Sequence, residues 1–278
     1  MLVDFKKILD MAEQGEYCIP AFNVYNLETA KGVINAAEEL RSPVILQFYS
    51  RLVTSKVAED VAPIVLDMAH KATVPVCFHL DHGAGECEVV RSLRMGMTGI
   101  MIDASMESLE DNIKKTKEIV RICDYVGVGV EGELGHVGKA ADGAENVVTE
   151  YTHADEAKRY VQETGVCALA VMVGTAHGRY KKAPVLDIER IKEIKKEANV
   201  ALVLHGGSGV PDDQIQKAIK AGIRKMNFST DLCYSFLDAC RERDKNIVGI
   251  DLFMTEPIKR VQEFAQSKIK VLGASNRV

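Results

Sequence analysis

The stretch VPVCFHLDHGAGECEVVRSLRMG, from Val74 to Gly96, contains one complete strand-and-helix unit. It begins with an apolar run, carries His79, Asp81 and His82 near the end of that run, and turns at glycines into a segment whose apolar residues recur at helical spacing. A continuous apolar run is typical of a strand that is buried on both faces of a parallel sheet. The stretch therefore predicts a β/α unit with ionisable side chains at the end of its strand.

The same pattern recurs along the chain. Seven further apolar runs are followed by helix-like or polar segments: YCIPAFNV, SPVILQFYS, TGIMIDAS, VGVGVEGELG, CALAVMVGTAHG, VALVLHGGSG and IRKMNFST. Eight units favour a closed (β/α)8 barrel of the α/β class over the alternative, an open doubly wound sheet, and no G-x-G-x-x-G follows the first run. The pattern after NFST is purely helical, so we expect one barrel domain over residues 1–278 with extra C-terminal helices.

Composition limits the classes of binding partner and the cellular compartment that we expect for this protein. The 278 residues are 47% apolar with a net charge of -5 and no basic stripe, which argues against a nucleic-acid partner and favours small molecules. The N-terminal MLVDFKKILDMAE has helical spacing and no long apolar run, so it predicts neither a signal peptide nor a membrane span. Seven cysteines without a C-x-x-C pair fit reduced thiols, most of them packing residues, and we predict a cytoplasmic protein.

Nearly every predicted strand delivers a polar group at its C-terminal end. In barrels of this kind the active site forms at that end, so residues there are interpreted first for function. The set comprises Asn23, Tyr49, Ser50, Asp81, His82, Asp103, Glu131, Glu133, His177, His205, Asn227 and Thr230.

Three of these residues could bind one metal ion. His82, His177 and His205 come from strands three, six and seven, and imidazole ligands with an open fourth position describe a catalytic zinc site. A lone histidine in an apolar stretch is more often a satisfied core residue, but three at matching strand ends favour the metal. Asp81 could exchange a proton with a substrate hydroxyl or, alternatively, orient an imidazole.

The other histidines receive less specific interpretations. His79 shares a strand face with Asp81 by alternation, and we assign it to orienting a neighbour. His70, His136 and His153 fall on predicted helices or loops, and we expect them on the surface.

Glycine-rich turns supply the second half of the predicted site. LHGGSG ends strand seven and NFSTD ends strand eight, and both open onto helices whose backbone N–H groups could cradle a phosphate. Glycine also simply turns chains, but phosphate sites recur at this place in barrels, and the turn lies beside His205. Metal and phosphate would therefore lie side by side.

On these motifs the sequence resembles the class II, metal-dependent ketose-bisphosphate aldolases, the fructose-bisphosphate and tagatose-bisphosphate enzymes. AFNVYNLET, HLDHG, MIDAS, VEGELG, GTAHGRY, LHGGSG and KMNFST stand in family order through nearly the whole chain. The resemblance implies a lyase of carbohydrate metabolism, such as glycolysis, that reversibly cleaves a ketose (bis)phosphate into dihydroxyacetone phosphate and an aldehyde through an enediolate. It also implies a homodimer or homotetramer.

The resemblance also implies a role for each site residue. His82, His177 and His205 would bind the catalytic zinc, Asp81 would be the acid-base residue, and Asp103 and Glu133 could hold a second divalent ion. The dihydroxyacetone phosphate half, often with a monovalent cation nearby, would bind to Gly178, Gly206, Gly207, Ser208, Asn227, Ser229 and Thr230. Lys225 lies in strand eight, but the metal residues make a lysine Schiff base unnecessary.

The chain departs from the family pattern at two places. The loop after strand five usually carries a glutamate that moves the carbon-bound proton, and here Ala140 and Ala141 occupy that place, so Asp142 or Glu145 could substitute. The family tends to place a serine near the aldehyde where this chain has Tyr49, with Ser50 next to it. Both changes lie on the aldehyde and proton-transfer side of the predicted site.

These departures leave alternatives open. One is the same metal barrel with altered chemistry, a sugar-phosphate epimerase or an aldolase for a different aldehyde. Another is a sugar-phosphate-binding relative without turnover. A barrel metallohydrolase is disfavoured because its first strand usually carries H-x-H, where this chain has AFNV.

Overall fold

The computed structural model describes residues 1–137, 151–178 and 180–278. Eight parallel strands close into a barrel in chain order, with β1 paired to both β2 and β8. The strands are β1 Ile19–Asn23, β2 Val44–Tyr49, β3 Val76–Gly83, β4 Gly99–Ile102, β5 Gly129–Leu134, β6 Ala168–Val171, β7 Ala201–Leu204 and β8 Ile223–Phe228. Each strand lies within one of the predicted apolar runs, so the predicted (β/α)8 barrel is confirmed.

Helices cover the outside of the barrel and continue after the last strand. They are α1 Phe5–Gly15, α2 Leu27–Glu39, α3 Ser50–Val53, α4 Lys56–Lys71, α5 Glu86–Arg94, α6 Leu109–Asp124, α7 Ala154–Thr164, α8 Ile188–Ala198, α9 Asp212–Ala221, α10 Thr230–Glu242 and α11 Ile250–Val271. Local sequence sets their starts: the Asn26 side chain accepts the Thr29 N–H in a capping box that begins α2. The predicted C-terminal helices are α10 and α11, and α11 packs against α2.

Helix α1 closes the N-terminal end of the barrel. The Phe5 N–H donates to the Thr98 carbonyl, and the Phe5 ring lies 4.6 Å from the ring of His79 in the barrel interior. Phe5 thus packs against the barrel interior at its N-terminal end, opposite the end at which active sites form in barrels of this kind. None of the helices in the described residues is long and apolar enough to cross a membrane.

One smaller prediction needs correction. His70 and His153 are exposed as expected, but His136 is half-buried with its Nδ1 3.1 Å from the Ser105 Oγ, because the end of β5 folds it over the site. All seven cysteines are free. Three are buried and three half-buried, which agrees with a packing role for most of them, and Cys87 is exposed on α5.

Candidate functional site

The polar residues at the strand ends surround a cavity of about 260 Å³ at the C-terminal end of the barrel. Its described lining consists of Asn23, Tyr25, Tyr49, Arg51, Asp81, His82, His177, Gly178, Gly206, Ser208, Asn227, Ser229 and Thr230. Side chains from β1, β2, β3 and β8 thus meet those of the segments that follow β6 and β7. Polar groups that are distant in sequence are brought to one concave surface, as ligand sites require.

Three histidines meet at this cavity: His82 and His177 line it, and the buried His205 contacts His82. His82, His177 and His205 each offer a ring nitrogen, and these nitrogens all lie within 4.8 Å of one another. The His82 Nε2 and His205 Nδ1 are 2.9 Å apart. Tetrahedral ligands with bonds of about 2.0–2.1 Å lie about 3.3 Å from each other, so only a small outward movement would admit an ion.

The hydrogen bonds of the two closest imidazoles determine which of their nitrogens are free to bind an ion. The His82 Nδ1–H donates to Asp103 at 2.8 Å, and the His205 Nε2–H donates to Glu131 at 2.8 Å. In the neutral rings the remaining nitrogens, His82 Nε2 and His205 Nδ1, then present lone pairs to each other. Facing lone pairs repel unless a cation lies between them, so these residues fit a metal ion, and a carboxylate behind each imidazole is the arrangement that metal sites use.

Burial and nearby charges keep two of the three imidazoles neutral, which is the form that binds a metal. Burial lowers the pKa of His177 to about 4, and the charge of His82 adds to that shift. Burial also holds the pKa of His205 well below its usual value. Burial acts the same way on His82, but Asp81, Asp103 and Glu133 outweigh it and raise its pKa to about 9. This negative environment attracts a cation to His82, a proton or a metal.

A second group of potential ligands adjoins the first. His82, Asp103 and Glu133 each offer a donor atom, again within 4.8 Å of one another. The Ser105 hydroxyl lies between the two carboxylates, 2.7 Å from Asp103 Oδ1 and 3.1 Å from Glu133 Oε1. Burial and the nearby Asp103 raise the pKa of Glu133 to about 8, and the Glu133 Oε2 has no hydrogen-bond partner in the described chain. An unsatisfied buried oxygen beside a second carboxylate fits a further divalent ion.

Asp81 is held beside the histidines by two amides. Its Oδ2 accepts from the Asn23 Nδ2 at 2.7 Å, and its Oδ1 accepts from the Asn227 Nδ2 at 3.0 Å. The same Oδ1 is 3.9 Å from the His82 Nε2, too far for a hydrogen bond. The carboxylate is therefore fixed next to the metal position without being tied to an imidazole, which suits proton transfer better than imidazole orientation.

The backbone at the end of β3 aims His82 into the cavity. His82 has a φ of 52°, in the left-handed region that non-glycine residues seldom occupy. The pairing register of β3 with β4 also shifts between Leu80 and Gly83. A Cβ on Gly83 would lie 2.7 Å from the Met101 carbonyl oxygen, so this position requires glycine. Strained backbone of this kind is concentrated at functional sites.

The glycine-rich turns form one wall of the cavity. Gly206 has a φ of 67°, and a Cβ there would lie 2.3 Å from the Ala176 carbonyl oxygen, so its turn packs directly on the segment that follows β6. The Tyr180 hydroxyl accepts a hydrogen bond from the Ala176 N–H and donates one to the Gly206 carbonyl. Nothing in the sequence pattern indicates this role of Tyr180. Gly207 does not line the cavity, because its N–H donates to the Asn227 carbonyl.

Two other lining residues complete that wall. The Ser229 Oγ lies 2.9 Å from the Tyr25 hydroxyl, and Thr230 begins α10. Gly178, Gly206, Ser208, Ser229 and Thr230 are thus together at the start of α10, where backbone N–H groups favour an anion.

A buried polar layer beneath the site was not recognised from the sequence. Lys225 is fully buried, and its Nζ lies 2.8 Å from Glu131 Oε2 and 2.8 Å from Asn227 Oδ1. His79 is also fully buried, with its Nδ1 3.3 Å from the Gln47 Nε2 and its Nε2 3.6 Å from Glu131 Oε2. Lys225 is not among the described lining residues, and its amine is occupied by Glu131 and Asn227. His79 adjoins Glu131 rather than a residue of the cavity.

The two departures from the family pattern have different outcomes. Tyr49 lines the cavity, with its ring 5.7 Å from that of His82, whereas Ser50 begins α3 and is not among the described lining residues. The predictions for Ala140, Ala141, Asp142 and Glu145 lie outside the described residues.

Comparisons with known proteins agree with this geometry. The chain is 39% identical over 279 residues to the uncharacterized protein YdjI of Escherichia coli (strain K12), covering 100% of this chain and 99% of that protein. The crystal structure of the YdjI aldolase from E. coli K12 superposes with a TM-score of 0.91 at 38% identity, over 100% of this chain and 99% of that one. Fructose-bisphosphate aldolase (Fba) from Campylobacter jejuni, at 22% identity and a TM-score of 0.83 over 100% and 97% of the two chains, shares the fold.

The family itself is shown by the length of its match. The sequence model for class II fructose-bisphosphate aldolases matches residues 3–277, almost the entire chain. Members of this family are lyases and generally depend on a metal, which agrees with the histidines and carboxylates that meet in the cavity. The chain therefore belongs to the class II fructose-bisphosphate aldolase family.

Proposed function

We propose that this protein is a zinc-dependent aldolase that reversibly cleaves a ketose phosphate, such as fructose 1,6-bisphosphate or tagatose 1,6-bisphosphate, into dihydroxyacetone phosphate and an aldehyde. The observation that carries the proposal is that three elements adjoin one another at one cavity: the cluster of three histidines, the Asp81 carboxylate held beside it, and the glycine-rich wall at the start of α10. Cleavage of a ketose phosphate needs a polarised ketone, a base for one hydroxyl and a phosphate site.

His82, His177 and His205 would hold the zinc ion, and Asp103 with Glu133 could hold a second divalent ion. When bound, the zinc would polarise the carbonyl oxygen of the substrate and so stabilise negative charge on the adjacent carbon. Glu131 and Asp103 keep the two closest imidazoles in the required tautomers. The chain would thus supply imidazole nitrogens as neutral ligands, with carboxylates around them that provide negative charge.

Asp81 would take the proton from the hydroxyl at the bond that breaks. In cleavage, the carboxylate accepts this proton, the hydroxyl carbon becomes the aldehyde carbonyl, and the electrons of the broken bond remain on the dihydroxyacetone phosphate half as an enediolate. Asn23 and Asn227 hold both carboxylate oxygens, so the base does not need to reorient before it reacts. In condensation, Asp81 returns the proton to the aldehyde oxygen.

The phosphate of the dihydroxyacetone half would bind at Gly178, Gly206, Ser208, Ser229 and Thr230, with a monovalent cation nearby. Backbone N–H groups and hydroxyls at the start of α10 bind an anion without a basic side chain. Asn227 contacts Asp81 and also lines the cavity, so it would join the base to this half of the site. This division leaves the rim after β2 for the aldehyde.

The proposal is tested by assaying condensation of dihydroxyacetone phosphate with a panel of aldehydes, before and after complete removal of metal by a chelator. We expect activity with added zinc and none without metal. In parallel, exchange of the carbon-bound proton of dihydroxyacetone phosphate with solvent, measured without aldehyde, separates aldolase chemistry from binding without turnover. Condensation that survives metal removal, or metal-loaded protein without exchange, would contradict the proposal.

We also propose that the protein is a cytoplasmic homodimer or homotetramer. All seven cysteines are free, which fits a reducing compartment. Large apolar side chains are exposed together near the start of α11, at Val248, Ile250 and Leu252, and an exposed apolar cluster marks an association surface. Sedimentation analysis would test the oligomeric state, and a monomer at micromolar concentration would contradict it.

A further inference from the structure

Arg51 places a positive charge on the rim of the cavity that follows β2. It lies in α3, next to the strand end occupied by Tyr49, and both side chains line the cavity. Among the described lining residues Arg51 is the one lysine or arginine. The proposed phosphate wall comes from the segments after β6, β7 and β8, and β1 lies between β8 and β2.

The guanidinium of Arg51 has no protein partner in the parts of the chain that the structure describes. Several other arginines are paired, among them Arg159 with Glu110, Arg224 with Glu13 and Arg260 with Glu242. Arg51 is exposed and lines the cavity, and it is charged at every accessible pH, so its donors are available to a ligand there.

The electrostatic effects of Arg51 show where its charge acts. Burial raises the pKa of the Tyr49 phenol and of the Cys233 thiol, and Arg51 opposes the rise in both. Tyr49 belongs to the β2 side, whereas Cys233 lies in the first turn of α10. The positive charge of Arg51 therefore acts both on the end of β2 and on the start of α10.

The proposed function divides the substrate along this mouth. The phosphate of the dihydroxyacetone half takes the wall at the start of α10, and Asp81 meets the hydroxyl at the bond that breaks. On this proposal the remaining carbons would begin near Asp81 and would extend towards the rim that Tyr49 and Arg51 line. A planar guanidinium offers two parallel N–H donors that match a carboxylate or a phosphate.

We propose that Arg51 binds an anionic group, a carboxylate or a phosphate, on the aldehyde half of the substrate, so that the enzyme prefers acidic aldehydes to neutral ones. The inference rests on the proposed aldolase function and names its substrate class. Arg51 would determine specificity without taking part in bond breaking.

The test compares wild type, Arg51→Ala and Arg51→Lys in condensation with dihydroxyacetone phosphate. The aldehydes are glyceraldehyde, which is neutral, tartronate semialdehyde, which carries a carboxylate, and glyceraldehyde 3-phosphate. We expect wild type to favour at least one acidic aldehyde, and Arg51→Ala to lower kcat/KM for it about 10- to 100-fold, the value of a hydrogen bond to a charged group. The glyceraldehyde value should change less than about twofold, and Arg51→Lys should retain part of the preference because it keeps the charge.

The two acidic aldehydes identify the anion, since the one that responds to Arg51→Ala carries the group that Arg51 binds. Arg91→Ala is the matched control, because Arg91 is exposed on α5 and is not among the described residues of this cavity. Solvent exchange of dihydroxyacetone phosphate needs no aldehyde, so it should be equal in wild type and Arg51→Ala.

Three outcomes would overturn the inference. Exchange by a wild type that shows no preference for acidic aldehydes would refute the role of Arg51 and leave the aldolase function standing. Equal losses for all three aldehydes in Arg51→Ala, with weaker exchange, would assign Arg51 to the dihydroxyacetone phosphate half. A metal-loaded wild type that neither exchanges nor condenses would refute the proposed function together with the inference.

Discussion

Replacing Lys225 with methionine removes the one ammonium group from the polar layer beneath the site. Lys225 and Glu131 are both fully buried, with Nζ and Oε2 2.8 Å apart, and the same Nζ donates to the Asn227 Oδ1 at 2.8 Å. Methionine is a similarly long, unbranched side chain, so Lys225→Met isolates the loss of charge from the loss of packing. The substitution leaves the Glu131 carboxylate buried without its counter-ion.

The loss in the free energy of unfolding depends on the hydrogen bond that the Glu131 carboxylate keeps in Lys225→Met. Breaking a buried ion pair by removing one partner costs about 3–5 kcal/mol, because the other charge remains buried and uncompensated. Glu131 keeps the His205 Nε2–H at 2.8 Å, so we expect the lower end of that range, about 3 kcal/mol. The double variant Lys225→Met, Glu131→Gln also neutralises the carboxylate, so it should recover about 2 kcal/mol of this loss. Residues in direct contact show such non-additive effects on stability.

Urea unfolding of the metal-free proteins at pH 7.5, extrapolated linearly to water, measures these free energies of unfolding. Lys217→Met is the matched control, because Lys217 pairs with Asp213 on the exposed face of α9 and such pairs contribute about 0–1 kcal/mol. The reasoning is refuted if Lys225→Met lies within about 1 kcal/mol of wild type. It is also refuted if the double variant loses the sum of the two single losses.

Three further predictions concern the base, the metal and the thiols. Asp81→Asn should lower kcat about 10²- to 10⁴-fold in steady-state cleavage, because the amide cannot accept the hydroxyl proton, and a loss below tenfold would remove Asp81 from the chemistry. His177→Ala should weaken zinc binding more than about 100-fold in competition with a chelator, beyond what loss of an outer partner costs, and unchanged affinity would exclude His177 as a ligand. Burial raises the pKa of the Cys123 thiol to about 12, so between pH 9 and pH 12 the folded protein keeps a proton that the unfolded chain releases. The free energy of unfolding should then fall as the pH rises, by up to about 1.4 kcal/mol per pH unit for this thiol. Cys123→Ala should make this fall with pH less steep when it is measured by urea unfolding across the same range. An equally steep fall in the variant contradicts the raised pKa of Cys123.

The barrel was predictable from sequence because its strands are buried on both faces. Every described strand falls inside a continuous apolar run, and β7, Ala201–Leu204, contains no polar residue at all. The local sequence also signals helix starts, as Asn26 does for α2. These signals come from neighbours in the chain, which a single sequence displays directly.

The polar layer beneath the site could not be predicted in the same way. Lys225 of β8 meets Glu131 of β5, and His79 of β3 approaches the same carboxylate across the barrel interior. No local spacing joins these residues, because their meeting depends on the barrel closing with one particular register. His136 was misplaced on the surface for a similar reason, since its contact with Ser105 depends on two different strand ends.

His82 shows where strand periodicity itself gives the wrong answer. Asp81 and His82 are consecutive, and simple alternation along a strand sends consecutive side chains to opposite faces. Both nevertheless line the cavity, because the left-handed φ of 52° at His82 and the register shift before Gly83 turn the second side chain back towards the barrel axis. A base and a metal ligand can therefore stand next to each other in sequence and in space. Strict alternation would have paired Asp81 with His79, and His79 lies one layer lower, beside Gln47 and Glu131. The backbone strain at His82 is thus the physical link between the HLDHG motif and the site it forms.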